Sequence, residues 1–169
     1  MYQNREMTGS KLNVKSHKGE NELNHYSLNQ FKTILVTGGC GFIGSTLIRR
    51  LLIETDAQII NIDKMGYASD LTSIQSKLKE IGEKRMNRHK LIELDLKDKD
   101  KVADVFSSFN PDIVFHLAAE SHVDRSIESP EIFISSNIVG TFNLLEAARN
   151  QFASMKGLRS ECFRFLHIS

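Results

Sequence analysis

The chain has 169 residues, 40% of them hydrophobic, and a formal net charge of +1. That length gives one domain with a real core plus a tail, and the balanced charge argues against nucleic acid or an anionic membrane as partner. Cys40 and Cys162 have neither metal-ligand spacing nor a disulfide framework, so no metal site is expected, and there is no secretory h-region or membrane-length apolar run. The expected home is the cytoplasm. Residues 1–30 are rich in Asn, Lys, Ser, Glu and His without a sustained period, and they read as a disordered polar extension.

From Phe31 the pattern changes. Residues 31–37 read as a first strand, and 42–54 as a helix with Phe42, Ile43, Thr46, Leu47 and Leu51 facing the sheet. Between them lies Gly38-x-x-Gly41-x-x-Gly44, a spacing that hands a strand over to a dinucleotide-binding helix. One glycine permits the tight turn, one lets backbone approach a pyrophosphate, and one lets the helix pack close to the sheet. The phosphates would meet the unpaired amides and the positive end of the helix dipole.

Residues 57–62 form a second strand, apolar at Ile59, Ile60 and Ile62, ending at Asp63. A carboxylate there can accept both hydroxyls of an adenosine ribose, and it repels a 2′-phosphate, so NAD is preferred to NADP. Lys64 beside it tempers that preference. A helix over 71–79 capped by Ser69 or Asp70, a charged connection over 82–90 and a third strand over 91–96 follow. Asp95 at that strand's end can meet the adenine amine or cap the loop. A helix runs from Asp98 to Ser108, with Val102, Val105, Phe106 and Phe109 inward, and residues 112–117 make the fourth strand. A long helix is predicted from Pro130 to Phe152, with Phe133, Ile134, Ile138, Phe142, Leu144, Leu145 and Ala148 inward. Gly140 costs that helix stability unless something packs against it. A loop over 154–160 leads to a fifth strand over 162–168.

Strands alternating with helices predict an α/β, Rossmann-type doubly wound parallel sheet of order 3-2-1-4-5. Its ligand crevice lies between the carboxyl ends of the first and fourth strands. Ala118 and Ala119 end the fourth strand there, where small side chains admit either a passing cofactor or ordinary tight packing.

Residues 37–45, Thr-Gly-Gly-Cys-Gly-Phe-Ile-Gly-Ser, resemble the extended short-chain dehydrogenase/reductase superfamily of nucleotide-sugar epimerases, dehydratases and decarboxylases. The phrases 116–127 (His-Leu-Ala-Ala-Glu-Ser-His-Val-Asp-Arg-Ser-Ile), 137–141 and 144–149 resemble the dTDP-glucose 4,6-dehydratase family within it, and the likeness covers about four-fifths of the chain. This resemblance implies NAD as cofactor. It implies that Gly38, Gly41 and Gly44 carry the phosphates with amides of Phe42 and Ile43, and that Asp63 holds the ribose beside Lys64 and Tyr67-Ala68. Gly66 and Ser69 depart from that family's usual Thr and Gly. The resemblance further places Asp95 and Leu96 at the adenine and Leu117, Ala118 and Ala119 along the cofactor. Ser121 and His122 would stand toward sugar and nicotinamide, His122 nearest the substrate, and Asn137 would brace the following strand.

A nucleotide sugar is the implied substrate and a homodimer through helix 131–152 the implied assembly. In that chemistry hydride leaves sugar C4, water is lost across C5–C6, and hydride returns to C6. The family performs it with a Tyr-x-x-x-Lys and a Thr-Asp-Glu, neither of which occurs here, so no catalytic residue is assigned. The expectation is an amino-terminal fragment, inactive alone, whose fifth strand leaves a sticky edge carrying Phe163 and Phe165. The alternatives are a fragment of another UDP- or GDP-sugar epimerase, dehydratase or decarboxylase, and a non-catalytic NAD-binding module.

Overall fold

The computed structural model describes residues 28–67, 69–122 and 127–168. The expected disordered extension lies outside the described residues apart from Leu28–Gln30, a 3-10 turn. Five parallel strands, β1 (Thr33–Thr37), β2 (Gln58–Asp63), β3 (His89–Glu93), β4 (Ile113–His116) and β5 (Arg164–His167), pair in the order β3-β2-β1-β4-β5. This is the doubly wound order the alternation of elements predicts.

Side chains alternate between the two faces of the sheet, as a strand period of two demands. Leu35, Ile60, Ile62 and Val114 point to one face, packing with Val102, Val105 and Phe106 of α4 (Lys99–Phe109) and Leu144, Ala147 and Ala148 of α6 (Thr141–Ser154). Ile34, Val36, Ile59 and Ile113 point to the other, against Ile48, Leu51 and Leu52 of α1 (Phe42–Glu54) and Ile74 and Leu78 of α2 (Thr72–Ile81). Both faces are covered, which is why these strands are almost continuously apolar.

The sequence misplaces several boundaries and faces. In α1 the buried positions are Gly44, Ser45, Ile48, Leu51 and Leu52, while Phe42 is 92% exposed, and Ile43 and Thr46 are exposed too. The helix presents its glycine side to the sheet, and that rotates the two apolar residues at its start into solvent. Strand β3 begins two residues before the expected Leu91 and stops at Glu93, which leaves Asp95 and Leu96 on the loop beyond it. The charged connection holds a one-turn helix, α3 (Glu83–Met86), and the expected loop before β5 holds α7 (Leu158–Cys162). Helix α2 starts at Thr72, whose amide is met by Asp70 Oδ1 at 2.7 Å.

The predicted single helix over 130–152 is three pieces. Helix α5 (Pro130–Phe133) passes into a π-helical segment, Ile134–Gly140, and then into α6. The wider π turn rotates the apolar stripe, so Ile134, Ile138, Phe142 and Leu145 face outward instead of into the core. Gly140 is buried as its cost requires: a Cβ there would stand 3.0 Å from Leu96 Cβ. At the β5 edge Phe163 and Phe165 pack on the core, and Leu166 and Ile168 are the exposed apolar residues.

Arg88 closes the lower end of this architecture. Its guanidinium donates to the carbonyls of Thr55 and Ala57 at 2.8 and 2.9 Å and to that of Leu52 at 2.8 Å. These are last-turn and post-helix carbonyls of α1, where a cation also meets the negative end of the helix dipole. Arg88→Ala is expected to cost about 2 kcal/mol in urea unfolding, since three half-buried acceptors lose their donor together.

Candidate functional site

Every parallel strand ends at the same edge, and the turn after β1 builds the centre of it. Gly38 sits at φ +69°, and its amide donates to Ile62 O at 2.8 Å. A Cβ on Gly38 would stand 2.7 Å from the backbone of Ala118, so the end of β4 lies directly against the turn. Gly44 is held more tightly still: a Cβ would meet Gly38 O at 2.1 Å. Gly39, outside the expected triplet, is equally constrained, because a Cβ there would stand 2.0 Å from Asn61 Oδ1. Gly41 differs from all of these, with Gly38 O at 3.3 Å as its sole close neighbour, and it faces the crevice.

That crevice has a cavity volume of about 120 Å³ and opens to solvent. It gathers Gly38, Gly41, Asp63, Lys64, Asp95, Leu96, Leu117, Ala118 and Ala119, so nine of the residues expected at a cofactor meet in one place. Ile62, Gly66, Tyr67, Ser69, Leu94, Glu120 and Ser136 complete its walls. Phe42 and Ile43 stand outside it on the first turn of α1, which carries no acidic side chain, and Gly44 is buried beneath the turn. Ser121 and His122 are exposed beyond its rim. Positions 123–126 of the phrase lie outside the described residues, as does Ala68.

Asp63 is 6% exposed and closely held. Its Oδ2 accepts from the amide of Cys40 at 2.9 Å, and its Oδ1 accepts from Met65 N at 2.9 Å and Ser69 Oγ at 2.7 Å. Three of the roughly four acceptor directions of a carboxylate are thus taken, leaving one on Oδ2. Ser69, where the resemblance expects glycine, supplies the last of these bonds. Burial, with Asp63 alongside, pushes the Cys40 thiol up to about 11, so it fills space as a neutral group and is no nucleophile.

The outer walls are braced by polar side chains, of which Asn61 and Asn143 carry no role in the sequence reading. Asn61, a polar residue inside an apolar doubly covered strand, donates to Cys40 Sγ at 3.5 Å beneath the turn. Asn143 donates to the carbonyls of Leu96 and Lys97 at 3.0 and 3.1 Å, fixing the adenine-side loop. Asp95 caps that loop, accepting from Lys97 N at 3.0 Å with the Lys97 ammonium at 3.3 Å, while still lining the crevice. Asn137 braces the loop after β4 and not the next strand: its Oδ1 accepts from Glu120 N at 2.8 Å and its Nδ2 donates to Glu120 O at 2.9 Å. Glu120 in turn pairs with Lys64. The Tyr67 and His122 rings meet edge to face at 5.3 Å. The loops after β2 and β4 are therefore joined above the end of β1.

A protein-family model, that of GDP-mannose 4,6 dehydratase, matches residues 35–169. The chain belongs to this family. Among curated relatives, a dTDP-glucose 4,6-dehydratase of Neisseria meningitidis serogroup B is 48% identical over 138 residues, covering 82% of this chain and 37% of the relative. Another from Salmonella typhimurium is 46% identical over 136 residues, covering 80% and 36%. The chain thus spans a little over a third of the length of these relatives.

Other members of the epimerase/dehydratase group share the backbone. A dTDP-glucose 4,6-dehydratase of Streptomyces venezuelae, solved with NAD and TYD bound, superposes with a TM-score of 0.64 at 30% identity, over 80% of this chain and 38% of that one. A UDP-glucose 4-epimerase of Thermus thermophilus in complex with NAD gives 0.57 at 31% identity, over 70% and 34%.

Proposed function

We propose that this chain forms the NAD-binding part of a dTDP-glucose 4,6-dehydratase. The observation that carries the reading is that the stretch shared with relatives of that name, at 42% to 48% identity, includes every residue lining the crevice.

The residues present fit an adenine dinucleotide. Open space over Gly41 admits phosphate oxygens, and the first amides of α1 (Phe42 and Ile43) lack intrahelical acceptors, as at any helix start. Leu94 and Leu96 offer an apolar wall to adenine, and Asp63 has one acceptor direction left for a ribose hydroxyl, a second opening if Ser69 Oγ turns away. Ala118 and Ala119 keep the β4 side low enough for the ribose–phosphate backbone. NAD, when bound, would supply the hydride-accepting and hydride-donating chemistry that oxidation at sugar C4 and reduction at C6 require. The groups of this chain bind and orient the cofactor, with His122 toward the substrate.

Residues 1–169 contain no Tyr-x-x-x-Lys and no Thr-Asp-Glu, so this polypeptide alone is expected to bind NAD without converting dTDP-glucose. The exposed apolar line of Ile134, Ile138, Phe142 and Leu145 supports a homodimer through this helix. No helix among the described residues is long and apolar enough to cross a membrane, in keeping with a cytoplasmic enzyme.

Two measurements test the reading. Titration of NAD into the chain should give saturable binding. Residues 35–169, spliced in place of the matching segment of the Neisseria enzyme, should preserve NAD-dependent formation of the 4-keto-6-deoxy sugar. A folded, NAD-bound chimera that yields no such product, or that epimerises the sugar instead, overturns the assignment.

A further inference from the structure

The walls of the crevice carry their charges unevenly. Among the described residues lining it, Lys64 is the one cation, against the carboxylates of Asp63, Asp95 and Glu120. Lys64 follows Asp63 directly, at the corner where the ribose of an adenosine would lie. A free ammonium there would attract a phosphate esterified to the 2′-oxygen, which brings a charge of about −2 at neutral pH.

Lys64 is not free. Its Nζ is paired with Glu120 Oε1 from the opposite wall, and the two side chains are 35% and 13% exposed, so the pair is screened less than a surface one. Glu120 is also a fixed partner, because Asn137 grips its amide and its carbonyl at 2.8 and 2.9 Å. Asp95, the third carboxylate of the lining, is paired with Lys97. Resting on the reading of this crevice as a cofactor site, we infer that Glu120 sets cofactor choice by withholding Lys64 from a 2′-phosphate.

The carboxylate of Glu120 acts through Lys64, so it is a specificity residue that touches no reacting atom. Its removal unmasks a positive charge at the ribose corner, where the net charge of Asp63, Lys64 and Glu120 rises from −1 to zero. One unit of charge a few ångströms away in a partly desolvated site changes affinity about tenfold.

Calorimetric titration of the full chain with NAD and with NADP provides the test, read as the ratio of the two dissociation constants. In Glu120→Gln, and again in Glu120→Ala, the ratio of NADP to NAD is expected to fall about tenfold, and adding Lys64→Met should restore it. A strap that merely closes the crevice would move both nucleotides together and leave the ratio unchanged. If the wild-type chain binds NAD but the ratio stays within about twofold in both Glu120 variants, the inference falls and the cofactor site stands. Binding of neither nucleotide by the wild-type chain removes both.

Discussion

Replacing Gly44 with alanine is expected to cost about 3 kcal/mol or more of stability and to abolish NAD binding, whereas alanine at Gly41 leaves the fold intact and removes the nucleotide alone. The two glycines share one motif but meet different neighbours. A Cβ at Gly44 would stand 2.1 Å from Gly38 O and 2.7 Å from Gly39 Cα, both backbone atoms of the turn itself. Neither can swing aside as a flexible side chain would, so α1 must withdraw and loosen Ile48 and Leu51 on the sheet.

Gly41 has φ −78° and ψ 175°, extended backbone that alanine adopts without strain, and its nearest atom would be Gly38 O at 3.3 Å. Its stability should shift by less than about 1 kcal/mol, since alanine also loses less freedom on folding. The added methyl, however, stands where phosphate oxygens have to approach the backbone, and NAD affinity should drop tenfold or more. Urea unfolding of both variants beside NAD titration separates the effects. A Gly41→Ala chain that binds NAD at wild-type strength would show that the phosphates take another path.

The contrast also marks what was legible in the residues. Strand order, the crevice edge and most of its walls follow from rules every doubly wound sheet obeys: apolar strands buried on both faces, right-handed crossovers, a glycine turn at the switch point. Helix faces were less legible. Phe42, Ile43, Ile134, Ile138, Phe142 and Leu145 are apolar at helical spacing, yet all are exposed. An apolar period records that something packs on a stripe and does not say that the sheet does. The π-helical segment carries no sequence signal of its own, and its wider turn shifts the phase of every residue after it.

Polar braces were missed for a different reason. Asn61 bonds to the Cys40 sulfur and Asn143 to the carbonyls of Leu96 and Lys97, far along the chain, and spacing cannot report such partners. Asn137 is expected as a brace, but its partner, the Glu120 backbone, is equally invisible in the spacing. Asn61 left only a faint trace, as a polar residue in a strand whose neighbours are isoleucines. Glu120 stood inside the phrase that carries the family resemblance, but its link to Lys64 spans 56 positions and emerges only when β2 and β4 are brought to either side of β1.

Lowering the pH from 7 to 4 is expected to remove about 3 kcal/mol of stability through His116 alone. This imidazole is fully buried at the end of β4, with Nδ1 at 2.7 Å from Thr37 Oγ1 and Nε2 at 2.8 Å from Thr141 Oγ1. A neutral ring offers one donor and one acceptor, which two threonine hydroxyls satisfy together. Burial, with His167 stacked 4.8 Å away, pushes its pKa down from 6.5 to about 4. The unfolded chain therefore takes up a proton below pH 6.5 that the folded chain refuses until about pH 4. Protons bound by the unfolded state exceed those bound by the folded state across that window, so stability rises with pH within it and is level above it. A shift of this size amounts to about 3 kcal/mol. His89, lowered by burial, adds a contribution of the same sign. Urea unfolding at pH 7.5, 6, 5 and 4 should show the wild-type advantage over His116→Gln shrinking by about 3 kcal/mol toward acid. Equal slopes in the two proteins would mean that the ring is already charged when folded. Because Thr37 precedes the glycine turn and its Oγ1 also receives the amide of Ala118 at 3.3 Å, opening this joint frees both sides of the crevice. NAD affinity should therefore fall in acid along with stability, and more steeply in the wild-type chain than in His116→Gln.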